Sequence, residues 1–241
     1  MLNINLNILN VCTSTNDIAF NAALNGEVEG TSYLAHTQTK GRGRNQNKWT
    51  SMKGNLFLST IIKPKSDKSF WHQLSVIVGF SIIQVLVDIG VNSNLINLKW
   101  PNDILVDEKK ICGVLLESSD NFIIVGIGLN ILKTPVLETK WATTKLNDHL
   151  KSSINIKNIG LKILNKVFNN YHSWEKFGFV FFKEDINEKM FMINKKIVLN
   201  VNSKSNPLNG VFLGIGDSGG IKVKTNSEIS EYLSVESFTF V

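Results

Sequence analysis

The chain has 241 residues, 43% of them hydrophobic, which suits one large domain or a domain with a small appendage and supplies a core without disulfide staples. The longest apolar run, residues 74–87, is broken by Ser75, Gly79, Ser81 and Gln84 and is too short to span a bilayer, and the first ten residues lack the basic start of a signal peptide. Cys12 and Cys112 are far apart in apolar surroundings and suit two buried reduced thiols better than a single disulfide, so a soluble cytoplasmic protein is expected; the net charge of +6 leaves open an anionic small substrate, an acidic protein partner or nucleic acid.

Along the chain, residues 6–11 form a short predicted strand. Ser14, Thr15, Asn16 and Asp17 offer caps for a helix over about 17–24, which Asn25-Gly26 stops. A strand is expected over 31–37, a polar aperiodic loop over 38–51, a strand over 56–62 and a long helix over 70–89. Four strands follow at 95–100, 104–106, 111–117 and 122–129. Pro101-Asn102-Asp103 and Asp107-Glu108 are turn signals between them, so hairpins are expected. Helices are predicted at 144–150 and 159–177. The last fifty residues change to short strands at 196–202, 210–215, 220–224 and 232–238, the pattern of a small barrel. This places a boundary near Glu188, with one unit over 1–188 and another over 189–241.

The charge is unevenly distributed by type. Of 26 basic residues only Arg42 and Arg44 are arginine, and both lie in the loop G-R-G-R-N-Q-N-K-W, residues 41–49. A guanidinium offers a planar fork matched to carboxylate or phosphate, which lysine cannot reproduce. Glycines around it permit close backbone approach to a ligand. Arg-Gly segments also bind single-stranded RNA, so the loop alone does not decide. A second constellation is K-W-P-N-D at 99–103, followed by a strand that begins with Lys109 and Lys110. It brings lysines and an aspartate to one end of a hairpin, although a charged turn is often merely solvated. The four histidines, His36, His72, His149 and His172, show no metal-ligand spacing, and neither a Walker phosphate loop nor a Ser-His-Asp arrangement is present.

Taken in order, T-S-T-N at 13–16, Gln38, the 41–49 loop, K-W-P-N-D, K-I-C-G-V-L-L-E at 110–117 and G-I-G-L-N at 126–130 resemble the biotin–protein ligase family over essentially the whole chain. The resemblance implies an α+β fold: a mixed sheet with helices packed on one side, like that of class II aminoacyl-tRNA synthetases, and a C-terminal SH3-like barrel. It implies formation of biotinyl-5'-AMP from biotin and ATP with magnesium, then transfer to a lysine of a biotin carboxyl carrier protein such as that of acetyl-CoA carboxylase. Ser14, Thr15, Asn16 and Gln38 would meet the ureido ring. Gly41 and Gly43 would belong to the biotin site, Arg42 and Arg44 would hold the carboxylate and phosphates, Lys110 would bridge carboxylate and adenylate, and Gly113 would let the backbone approach biotin, although a glycine in a strand also marks a bulge. On the nucleotide side stand Arg44, Trp49, Lys99, Asn102 and Asn130. Asp103 is a candidate magnesium ligand or aid to the acceptor amine.

The chemistry agrees with that set. Biotin's carboxylate is ionised at neutral pH, so adenylation needs cations that cancel repulsion at phosphorus, not a general base. The attacking lysine must lose a proton, and a nearby carboxylate such as Asp103 assists that step. Gln46 and Asn47 depart from the family's loop, which commonly has a glycine and a basic residue there. Some members carry an N-terminal DNA-binding domain; here the first motif begins at Thr13, so a monofunctional monomer or homodimer that binds neither DNA nor membrane is expected. The rivals are a lipoate–protein ligase, with a related fold, and a nucleic-acid-binding module.

Overall fold

The computed structural model describes residues 4–135, 142–151, 154–201, 206–226 and 228–241. A seven-stranded sheet is built from β1 (Asn5–Leu9), β2 (Thr31–Ala35), β3 (Leu56–Ile62), β4 (Ile96–Lys99), β5 (Asp103–Val106), β6 (Lys109–Ser118) and β7 (Ile123–Leu129) in the order β1-β2-β3-β7-β6-β5-β4. Only β1 and β2 run parallel; β4 to β7 form the expected hairpins.

Period-two alternation sorts the side chains of these strands onto two faces. Leu56, Leu58, Val114, Val125, Ile127 and Leu129 lie in the main core with helices α2 (Gln73–Asp88) and α3 (Ile156–Phe177). Ile61 and Ile124, of opposite parity, pack under Ala19 and Ala23 of α1 (Thr15–Leu24). The expectation of helices on one side is therefore corrected: α1 covers part of the second face, and the rest of that face is left open. α2 is so apolar that most of its circumference is buried, and Gly79 lets Leu98 approach its backbone.

Helix α4 (Val180–Glu188) was not anticipated. After it, the backbone at 189–191 pairs with Leu98 of β4. A second, antiparallel sheet follows: β8 (Lys196–Asn200), β9 (Leu208–Ile215), β10 (Ile221–Lys224), β11 (Ile229–Tyr232) and β12 (Ser237–Phe240), in the order β11-β10-β9-β8-β12. The single strand expected at 232–238 is instead two strands on opposite edges of this sheet, joined across residues 233–236. Residue 202, the expected end of β8, lies outside the described residues. Ile197, Leu199, Phe212, Ile221 and Val223 join the same buried cluster as the first sheet's core.

The helix expected at 144–150 is also corrected to one 3-10 turn, Leu146–Asp148. Its backbone is used elsewhere: Thr144 N donates to Lys110 O, and Leu146 N to Asn130 O. Nothing is then left to propagate an α-helix. The cysteines are free thiols, as expected, and no helix among the described residues is long and apolar enough to cross a membrane.

Candidate active site

The open part of the second sheet face is the floor of a cleft of about 550 Å³. Strand register explains it. One row across the strands is Phe57, Gly128, Gly113 and Asp103; the next is Ser59, Gly126 and Leu115. Where glycines stand, neighbours lie directly on the backbone: a Cβ at Gly126 would collide with the Asn16 amide, and one at Gly128 with the Trp49 indole. Three glycines thus keep a slot open between α1 and the 41–49 loop.

One end of the slot is polar and buried. α1 begins two residues earlier than expected, so Ser14 is its N-cap residue while Thr15 and Asn16 lie inside it. Ser14 makes no side-chain capping bond, which leaves its hydroxyl to the cleft and corrects the expectation of a cap. Thr15 N and Oγ1 donate to Gln38 Oε1 at 2.8 and 3.1 Å. Ser59 Oγ lies 2.7 Å from Thr15 Oγ1 and 2.6 Å from Asn16 Oδ1. Asn16 Nδ2 donates to Glu117 Oε2 at 2.6 Å, and Gln38 Nε2 to Ser51 Oγ at 3.0 Å.

The other end is charged. Lys110 Nζ sits 2.6 Å from Asp103 Oδ1 as an ion pair, although that oxygen has no aligned hydrogen-bond donor. Lys110 and Gly113 are three residues apart, and plain alternation would put them on opposite faces. A bulge between Lys110 and Cys112, where β6 shifts register against β5, returns Lys110 to the cleft. Lys110 Nζ also lies 5.4 Å from the centre of the Trp49 ring, whose Nε1 is buried with no partner. Arg44 is exposed on the loop and lines the cleft. Removal of water from its guanidinium lowers its affinity for the proton, and the Asp103 charge opposes that fall.

Arg42 differs. Its Nη1 is 2.6 Å from Asp17 Oδ1, while Nε and Nη2 bond both oxygens of Glu117 at 2.8 to 3.0 Å. Desolvation pulls its pKa down, but the hydrogen bonds it donates to Asp17 and Glu117, with their charges, outweigh it and hold the guanidinium above its ordinary value.

Most expected residues therefore meet around one cleft: Ser14, Thr15, Asn16, Gln38, Arg42, Gly43, Arg44, Trp49, Asn102, Asp103, Lys110, Gly113 and Asn130 line it. Two do not. Gly41 packs beneath Gln38, Ser51 and the Trp49 carbonyl, where it has no room for a Cβ. Lys99 faces Asp103 across the β4–β5 ladder, outside the cleft wall; burial lowers its pKa, with Asp103 opposing and Lys110 reinforcing. Asn130 lines the cleft but spends its amide on Asn55 and on the Thr144 carbonyl. Ser59, Glu117, Gly126 and Gly128 had no assigned role and Asp17 only that of a helix cap, although Glu117 and both glycines stand within quoted motifs. Their signal was parity: 113, 115 and 117 alternate on β6 as 126 and 128 do on β7. The side chain of Gln46 lies outside the described residues.

Among the described residues no group of three or more His, Cys, Asp or Glu is arranged to hold a metal. Asp103, already paired with Lys110, fits a magnesium ion only as one ligand of an ion whose other ligands are phosphate oxygens and water.

The model of the biotin/lipoate A/B protein ligase family matches residues 8–131. The bifunctional ligase/repressor BirA of Bacillus subtilis is 29% identical over 240 residues, covering 94% of this chain and 71% of that protein. The biotin–[acetyl-CoA-carboxylase] ligase of Mycobacterium tuberculosis is 32% identical over 126 residues, 51% of this chain and 47% of that one. The structure of the Aquifex aeolicus biotin protein ligase in complex with biotin and ATP superposes with a TM-score of 0.86 at 31% identity, covering 98% of this chain and 99% of that one.

Proposed function

The chain belongs to the biotin/lipoate A/B protein ligase family, and from that premise we propose that it is an ATP-dependent biotin–protein ligase with its site in the glycine-floored cleft. It joins biotin to ATP as biotinyl-5'-AMP with release of pyrophosphate, then passes biotin to a lysine of a biotin carrier protein such as that of acetyl-CoA carboxylase.

The observation that carries this reading is the polarity of the slot. Ser14, Thr15, Asn16, Gln38 and Ser59 gather at its buried end, and Lys110, Asp103 and Arg44 at the other. Biotin has that pattern: a hydrogen-bonding ureido ring, an apolar stem and a carboxylate. Lipoate has no ureido group to meet the buried amides and hydroxyls, and leaving such groups unmet is costly.

Lys110 and Arg44 offset the repulsion as the carboxylate oxygen attacks the α-phosphorus and the bond to the bridging oxygen of pyrophosphate breaks. Asp103 would be the protein ligand of a magnesium ion brought by the nucleotide, which would screen the phosphates. Trp49, over Gly113 and Gly128, separates the biotin slot from the nucleotide, and Asn102 belongs to the nucleotide side. In the second step the acceptor amine loses a proton towards Asp103, attacks the acyl carbon and expels AMP. Residues 1–188 form the catalytic unit, of class II synthetase-like design, and 189–241 an SH3-like unit.

Incubation with biotin, Mg-ATP and a biotin carrier domain, followed by mass measurement of the carrier, tests the reading. A gain equal to one biotin amide is expected. Labelling with lipoate and not biotin, or no labelling with either, would overturn it.

A further inference from the structure

Glu117 is absent from the cleft wall, yet it accepts hydrogen bonds from two residues that form it. Asn16 Nδ2 donates to one of its oxygens, and Arg42 reaches both. An ionised carboxylate accepts only, so Asn16 must meet it with its NH2 group. The orientation of the Asn16 amide is thereby fixed. Its Oδ1 is turned the opposite way, over the bare backbone of Gly126 and 2.6 Å from Ser59 Oγ.

The consequence is a shortage of protons at the buried end. Ser59 has one hydroxyl hydrogen and two acceptors in reach, Asn16 Oδ1 and Thr15 Oγ1. Gln38 relieves none of this: its carbonyl oxygen takes the Thr15 hydroxyl hydrogen as well as the Thr15 N–H, and its NH2 group is directed to Ser51. A ligand seated there is favoured if it supplies N–H donors. The same carboxylate, together with Asp17, clasps the start of the 41–49 loop through Arg42.

We propose that Glu117 is a positioning residue: it sets the ring end of the cleft as a hydrogen-bond acceptor and ties the arginine loop to it. The inference rests on the biotin reading, whose ureido N–H groups are the donors in question. It makes the Asn16–Glu117 pair, rather than either residue alone, the determinant of ring recognition.

The test is biotin binding by titration calorimetry without ATP, on the wild type, Glu117→Gln, Asn16→Asp and the double variant. Glu117→Gln brings a competing amide and loses the charge that holds Arg42; Asn16→Asp sets two carboxylates face to face. Each single change is expected to weaken biotin by about tenfold or more. The double variant exchanges donor and acceptor: the amide at 117 donates to the carboxylate at 16, whose second oxygen still faces the ring. Binding is expected to recover to within about threefold of wild type. As a second readout, a protease should cut the 41–49 loop of unliganded Glu117→Gln faster than that of wild type. Wild-type affinity in Glu117→Gln, or a double variant no better than the singles while circular dichroism shows all four folded, would overturn the proposal. Failure of the wild type itself to bind biotin would overturn the biotin reading and this proposal with it.

Discussion

Arg42 and Arg44 stand two residues apart on one loop, and their surroundings give them opposite work. Arg42 faces two protein carboxylates, so its charge is already answered. Arg44 makes no ion pair within 4.0 Å among the described residues and feels only the more distant Asp103. On the proposed reading it meets the anionic intermediate. Arg44→Gly should therefore form adenylate but release more of it free, measured as biotinyl-5'-AMP in the filtrate against labelled carrier; a filtrate equal to wild type would remove the latch. Lys110 sits on a strand, pinned by Asp103, so Lys110→Ala should slow pyrophosphate release by ~10²–10³, and a wild-type rate would exclude the role. The thiols differ too. Cys112 is fully buried and desolvation drives its pKa far up, whereas Cys12 is half-buried and raised less, by burial and then by Asp17. A raised pKa keeps Cys112 protonated as pH rises through the ordinary thiol range. Iodoacetamide on the native protein at pH 8 should label Cys12 in preference to Cys112, read by peptide mass.

At the scale of the elements, β6 and β7 show what could be foreseen from the chain and what could not. Their alternation and turn signals were legible, and so were the residues that bring chemistry, because K-W-P-N-D and K-I-C-G-V-L-L-E are local words. Gly113 hinted at a bulge, but that Ile111 is the extra residue and that Lys110 is thereby turned beside Gly113 appears only in the register against β5. The face taken by α1, the loss of the helix at 144–150 and the role of Glu117 were hidden for a similar reason. Each depends on partners about 15 or more residues away, in the last case Asn16 and Arg42. The glycines of β7 make the point testable. Gly126→Ala meets the Asn16 amide, while Gly128→Ala meets the Trp49 ring. The first should raise KM for biotin with little effect on ATP; the second should displace Trp49 and raise KM for ATP more than for biotin. Equal effects of both substitutions on both substrates would show that the two residues do not divide the slot.

On the scale of the whole molecule, the second sheet meets the elements that hold the β4–β5 turn through a turn of its own. Residues 216–220 join β9 to β10, and their carbonyls meet donors of the first unit: Ser218 O lies 2.8 Å from His72 Nε2 and accepts from Gln73 Nε2 at 3.1 Å, and Gly219 O accepts from Trp100 Nε1 at 3.3 Å. Trp100 is joined to Pro101 by a cis peptide bond and is followed by Asn102 and Asp103. Ser75 Oγ donates to Pro101 O, and Asn102 and Val114 exchange hydrogen bonds, so the β4–β5 turn is held by α2, β6 and the second sheet together. Deleting residues 189–241 is a poor probe of this contact, because Phe212, Ile221 and Val223 share the core and their loss would expose it. Trp100→Phe is a finer one: it keeps an aromatic ring in the core but leaves Gly219 O without its donor, at a cost of about 1 kcal/mol or somewhat more. Gly219→Ala perturbs the same contact from the other side, since that residue has φ of +85° and an added Cβ would lie 2.9 Å from Gln73 Cγ. On the proposed reading, Asn102 and Asp103 serve the nucleotide side of the cleft, and Asn16 and Gln38 the ring side. Both variants should therefore raise KM for ATP severalfold in pyrophosphate exchange while biotin affinity by calorimetry stays at the wild-type value. A loss of biotin affinity in step with ATP would mean that the turn supports the whole cleft and not the nucleotide side. Wild-type kinetics in both variants would mean that the second sheet acts through some other contact.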